Sequence, residues 1–194
     1  MAHASALDAC NEALITLGQD VTLVTLDKSS SDPKERDCAY LYETARKQVL
    51  SDHPWSFIRE ELEYDPPRRT VDLPTDAVRI VACLDEDGYN LAFRCVGGKV
   101  KSDDEIARLV FTRDEEDLTE WDPDAYKALV LRLAADLAKP ITGRINERQL
   151  QEQAYAEQIE KAKLKDARNS GYSGKAYGRN YYVDRMQGRG TAGV

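Results

Sequence analysis

The spacing of apolar positions changes twice along this chain, and the changes divide it. Leu7, Cys10, Leu14 and Leu17 recur at helical spacing, which predicts a first helix over Ala6 to Leu17 with Ser5 as its cap and Gly18 at its end. An irregular stretch, Gln19 to Ser31, follows and contains the short apolar run Val21 to Leu26. A second helix starts at Asp32, with Pro33 at its first position and Glu35 three residues after the cap. Cys38, Leu41, Ala45 and Val49 form its inward stripe, and His53-Pro54 stops it because proline disfavours helical geometry in the residue before it.

From Trp55 to Thr112 the period becomes strand-like. Ile58, Leu62 and Tyr64 begin the region, and Pro66-Pro67-Arg68-Arg69 reads as a loop. Val78 to Leu84, Leu91 to Val96 and Ile106 to Thr112 are the best strands, separated by the hairpin signals Asp87-Gly88 and Gly97-Gly98. A two-residue turn at Asp87-Gly88 would pair Cys83 with Ala92. Alternation of Leu91, Phe93 and Cys95 with Ala92 and Arg94 predicts one covered face, in a small antiparallel meander.

Helical spacing then returns. Asp122 caps and Pro123 opens a third helix whose stripe of Tyr126, Leu129, Val130, Leu133 and Leu137 is the strongest in the chain, with Pro140 ending or kinking it. A fourth helix, Glu147 to Arg168 with Asn146 as cap, has only a thin apolar side of Tyr155, Ile159 and Ala162. Glu157 and Lys161 would pair along it. So thin a stripe on so long a helix suits packing against a second subunit. The fold class expected is α+β: an antiparallel helical bundle from residues 1–54 and 113–168, an inserted antiparallel β domain at 55–112, and an extended tail at 169–194.

That tail is glycine-rich, with tyrosine and arginine and almost no aliphatic side chains, so it buries too little apolar surface to fold alone. Charge separates it further. The chain's formal net charge is −8, but the tail carries Lys175, Arg179, Arg185 and Arg189 against Asp184. Residues 1–168 therefore hold the acidic excess, which argues against that part gripping a phosphate backbone and suits a surface that DNA must slide past.

Three readings of the tail compete. It could be a solubilising end, a nucleic-acid arm using arginines on phosphates and tyrosines on bases, or a peptide docking on a protein partner. Four cations without a repeated Arg-Gly-Gly argue weakly for the arm. Tyrosine and arginine dominate binding hot spots, which favours the docking peptide.

Chemistry is sparse. The only histidines are His3 and His53, and no serine-hydrolase elbow, phosphate-binding loop, dinucleotide fingerprint or zinc-protease motif occurs. Acidic runs at Asp85-Glu86-Asp87, Asp103-Asp104-Glu105 and Asp114-Glu115-Glu116-Asp117 lack the spacing of a calcium loop and read as solvated turns. Cys10, Cys38, Cys83 and Cys95 show no metal-ligand spacing and are expected to be reduced. Without a secretory leader pattern or a long apolar run, a soluble intracellular protein is expected.

Taken in order, ALDACNEALITLG, VTLVTLD and DCAYLYETARKQVLSDHPWSFI resemble the tail tubular protein A family of short-tailed bacteriophages, the head-to-tail adaptors beneath the portal. The residues carrying this are Asn11-Glu12-Ala13-Leu14, Leu17-Gly18, Thr25-Leu26-Asp27, Tyr42, Arg46, Val49-Leu50 and His53-Pro54-Trp55. The later run YKALVLRLAADLAKPIT is similar to the family's second helical pair. Where many members have asparagine after Pro-Trp, this chain has Ser56.

The resemblance implies a helical bundle with an inserted β domain and a dodecameric ring docked on the portal protein. DNA passes through the channel without sequence-specific binding. The C-terminal segments reach the portal, and the β domain seats the tail nozzle or another tail protein. It implies no enzymatic activity, cofactor, metal or membrane, and a place in the virion at the head–tail interface after assembly in the host cytoplasm. In this chain the expected portal contacts are Tyr172, Tyr177, Arg179, Tyr181, Tyr182 and Arg185. The alternatives are a nucleic-acid-binding protein using the tail as an arm and, less favoured, a hydrolase using clustered carboxylates.

Overall fold

A computed structural model of the chain describes residues 5–20 and 22–169. Within them the fold is mixed α+β, with four α-helices and a four-stranded antiparallel sheet. The described residues divide into two units, one from 5–57 and 115–169, the other from 58–114.

The helical unit is built on local signals. Helix α1, Ala6–Thr16, begins in a capping box: the Ser5 hydroxyl accepts the Asp8 N–H, and the Asp8 carboxylate accepts the Ser5 N–H. Helix α2, Pro33–Asp52, is capped by the Asp32 carboxylate on the Lys34 N–H. Helix α3, Pro123–Thr142, repeats that device with Asp122 on the Asp124 N–H. It runs two residues past Pro140 and ends at Gly143, whose φ of 68° is the left-handed geometry of a helix stop.

Helix α4 spans Ile145–Asn169, so Asn146 lies inside its first turn instead of capping it, and Asn169 belongs to the helix rather than to the tail. Helix α3 is the hub against which α1, α2 and α4 pack, and its Leu129, Leu133 and Leu137 are fully buried. Leu14, Val49, Leu50 and Trp55 are buried in the same unit, and burial of each such side chain contributes roughly 1.5–3 kcal/mol.

The sheet unit departs from the expected meander. Its strands are β1 (Arg59–Asp72), β2 (Ala77–Leu84), β3 (Phe93–Val96) and β4 (Lys99–Arg113). Strand β4 is central: the order is β1-β4-β2, and β3 also pairs with β4. The Gly97-Gly98 hairpin forms, with Val96 opposite Lys99. The Asp87-Gly88 segment makes no β2–β3 ladder. The Gly88 N–H closes on the Asp85 carbonyl and the Leu91 N–H on the Cys83 carbonyl, with a single bridge from Leu84 to Asn90. Cys83 lies opposite Leu109 instead of Ala92.

Pro66-Pro67-Arg68-Arg69 is not a loop between elements but part of β1. The register jumps from Glu63 opposite Arg108 to Arg68 opposite Ile106, because the two prolines have no N–H for the ladder. All of β3 is exposed, including Phe93 and Cys95, so of the face expected to be covered only Leu91 is buried. The core of this unit is Val71, Cys83, Leu91, Val100, Ile106 and Leu109.

Candidate functional site

The six residues expected to touch the portal, Tyr172, Tyr177, Arg179, Tyr181, Tyr182 and Arg185, lie outside the described residues. What the structure does assemble is the corner at the end of α2 and its connection to α4.

The helix-stopping residues of this corner are also its polar donors. His53 caps α2 in extended geometry, because Pro54 forbids a further helical turn. Trp55 then turns fully inward, and its indole N–H donates to the Val49 carbonyl at 2.8 Å. An aromatic chain continues from it: His53 meets Trp55 edge-on at 4.8 Å, Trp55 meets Phe57 at 5.7 Å, and Phe57 meets Trp121 at 6.0 Å. These contacts fix the direction of the His53 ring.

Opposite stands Asp166 of α4, only 5% exposed. Its carboxylate accepts the Ser56 hydroxyl at 2.5 Å and the Ser56 N–H at 3.1 Å, and lies 3.1 Å from His53 Nε2. Burial pushes the Asp166 carboxyl up, but hydrogen bonds from His53 and Ser56 outweigh it and leave the group below the usual carboxylate range.

Serine, histidine and aspartate thus meet in an order that does not activate the serine. A relay needs imidazole between hydroxyl and carboxylate. Here the carboxylate lies between the other two, and the hydroxyl spends its proton on it. The cluster joins segments of chain.

Two further polar links hold α4. The Tyr155 hydroxyl donates to the Asp52 carboxylate, one residue before His53. At the start of α3, Asp124 receives Lys165 at 2.8 Å and Lys161 at 2.9 Å, and its carbonyl receives the Gln158 amide at 3.0 Å. Lys161 therefore reaches across to α3 instead of pairing with Glu157, whose carboxylate takes the Gln153 amide. Lys165 above all, with Lys161, holds the Asp124 carboxyl well below its usual range. Helix α4 has little apolar surface to bury, and these bonds supply directional attachment in its place.

The remaining chemistry-bearing groups are quiet. Cys10 and Cys38 are fully buried in contact with each other, and that hydrogen bond with burial pushes the Cys10 thiol up. Burial raises Cys83 to about 12, so neither thiol offers a thiolate near neutrality. Among the described residues no group of three or more histidine, cysteine, aspartate or glutamate side chains is placed to hold a metal ion. No helix among them is long and apolar enough to cross a membrane.

The signal for the Asp166 corner was present only in part. His53-Pro54-Trp55 marked a helix end, but Asp166 stands 110 residues after Ser56 and looks like any solvated helix position. No protein-family model matches the chain, and no curated protein matches it.

Proposed function

We propose that this protein is a structural head-to-tail adaptor of a short-tailed bacteriophage, acting by association and not by catalysis. In this reading the four helices form the body of the adaptor, and copies close a dodecameric ring beneath the portal. The inserted sheet meets the tail nozzle or another tail protein. The glycine-, tyrosine- and arginine-rich segment grips the portal.

The observation that carries the reading is where the resembling residues fall. Several of them fasten the helical unit: Asn11 binds both backbone polar groups of Leu23, Arg46 is buried near Glu116, and His53-Pro54-Trp55 forms the α2 corner. A resemblance that includes such positions supports a likeness of architecture. The acidic excess of residues 1–168 fits a channel wall that does not hold DNA.

Deletion of residues 170–194 tests this. The helical signal should persist while capture of portal rings is lost. Undiminished capture by the truncated protein would remove the role given to Tyr172, Tyr177, Arg179, Tyr181, Tyr182 and Arg185. Binding of duplex DNA with a steep salt dependence, lost on the same truncation, would favour the nucleic-acid arm instead.

A further inference from the structure

We propose that copies of this chain associate head to tail through the sheet unit, the basic outer face of the β3–β4 hairpin of one copy seating on an acidic cleft of the next. In the hairpin ladder Arg94 stands directly opposite Lys101, and Val96 opposite Lys99. Residues opposite one another share a face, so these four project together. Val100, between the two lysines, points the other way and is fully buried in the core. Like charges placed directly opposite one another destabilise a sheet. Lys99 is offset by Asp72, but among the described residues neither Arg94 nor Lys101 makes an ion pair. The ladder thus holds together two cations that nothing in the described chain offsets, beside a Val96 side chain that is 54% exposed.

The same unit carries the complement. A cleft of ≈ 420 Å³ is lined by Asp85, Glu86, Asp87, Asp104 and Glu105, with Arg69 among them. Asp85 accepts the Tyr89 N–H, and none of the five carboxylates makes an ion pair among the described residues. Pro67 and Leu91 add apolar lining for a side chain such as Val96.

These opposite surpluses point to a second copy as the occupant. No ion pair joins the two surfaces within one copy, yet every copy brings both, and each offsets the other. A phosphate backbone would match Arg94 and Lys101 but leave the carboxylates of the cleft unmatched. A contact between two different patches lets copies add one after another until a ring closes. Where the adaptor reading holds, this is a seam of its ring, beside the packing of helices. The contact itself rests on the charges above and not on that reading.

Sedimentation equilibrium of the full chain tests it without the portal. Association should depend on concentration and weaken on the order of tenfold between about 0.05 M and about 0.5 M salt. Reversing the face, Arg94→Glu with Lys101→Glu, or the cleft, Glu86→Lys with Glu105→Lys, should leave monomers, because both patches of such a copy then carry one sign. An equimolar mixture of the two should associate again, which requires both to be folded. Arg94→Glu alone places opposite charges across the ladder, so it should weaken association without lowering the unfolding midpoint. A monomeric wild type, self-association by either double variant, or a mixture of folded variants that stays monomeric would overturn the contact. So would duplex DNA binding that the face variant loses, in a wild type that does not self-associate. Failure of portal capture alone would count against the adaptor reading and leave this contact standing.

Discussion

Asn11 satisfies both backbone polar groups of Leu23: its Nδ2 donates to the Leu23 carbonyl at 3.1 Å, and its Oδ1 accepts the Leu23 N–H at 2.7 Å. The pair substitutes for a strand partner in a stretch that has none. It ties the connection between α1 and α2 to the face of α1 and lets Leu23 bury while Val24 points outward. Substitution Asn11→Ala leaves a backbone donor and acceptor without their partner, at a cost of about 2 kcal/mol. Urea unfolding should show this as a lower midpoint with an unchanged slope.

Gly143 offers a cleaner measure of backbone geometry. Its φ is 68°, its N–H closes on the Lys139 carbonyl at 3.0 Å, and a Cβ added there would meet nothing within 4 Å. Any penalty of Gly143→Ala is therefore conformational, about 1–2 kcal/mol. Gly143→Asn should cost less, because asparagine tolerates the left-handed region. A larger loss for asparagine than for alanine in the same unfolding assay would contradict that account.

The contrast between these sites explains what the sequence made legible. Asp32-Pro33 and Asp122-Pro123 announce helix starts because a cap acts within two residues, and both open helices where expected. Asn146 has the same cap chemistry, yet α4 begins at Ile145. Strand order was harder. Gly97-Gly98 defined a local hairpin correctly, but β4 takes β1 and β2 as well, and those pairings join residues tens of positions apart. Asp166, Lys161 and Tyr155 acquire their partners only when α4 has folded back. A residue's type shows that it can accept a hydrogen bond, not from which element the donor arrives.

Acid should loosen the attachment of α4 before it attacks the apolar core. Asp124 and Asp166 both have carboxyls below the usual range, Asp124 through Lys165 and Lys161, Asp166 through His53 and Ser56 against the opposing effect of burial. A depressed folded-state value means the folded protein holds the ionised form more strongly than the unfolded chain does. The contribution is then complete above about pH 4 and is lost as pH falls through the folded values. Asp124→Asn should lower stability at neutral pH and flatten the decline below about pH 4. Thermal unfolding at stepped acid pH, monitored by helical circular dichroism, checks both effects.

Alkali should act on the opposite side of the neutral range, through two phenols. Burial first, and then the Asp52 carboxylate that takes its hydroxyl, push Tyr155 above the ordinary tyrosine value. Tyr126 is pushed up by burial and by Glu12, whose carboxylate accepts its hydroxyl at 3.0 Å. Ionising either would set a phenolate beside a carboxylate and remove a donor. With folded values above the unfolded value of about 10, both contributions are complete below that pH and disappear as pH rises through the folded values. Tyr155→Phe gives up one hydrogen bond, about 1 kcal/mol at neutral pH. In return it has no proton to lose, so its stability should fall less steeply than wild type above pH 10. Phenolate absorbance should show these two hydroxyls ionising late, together with loss of helical signal. Ionisation of all ten tyrosines in one early step with the helices intact would refute the assignment.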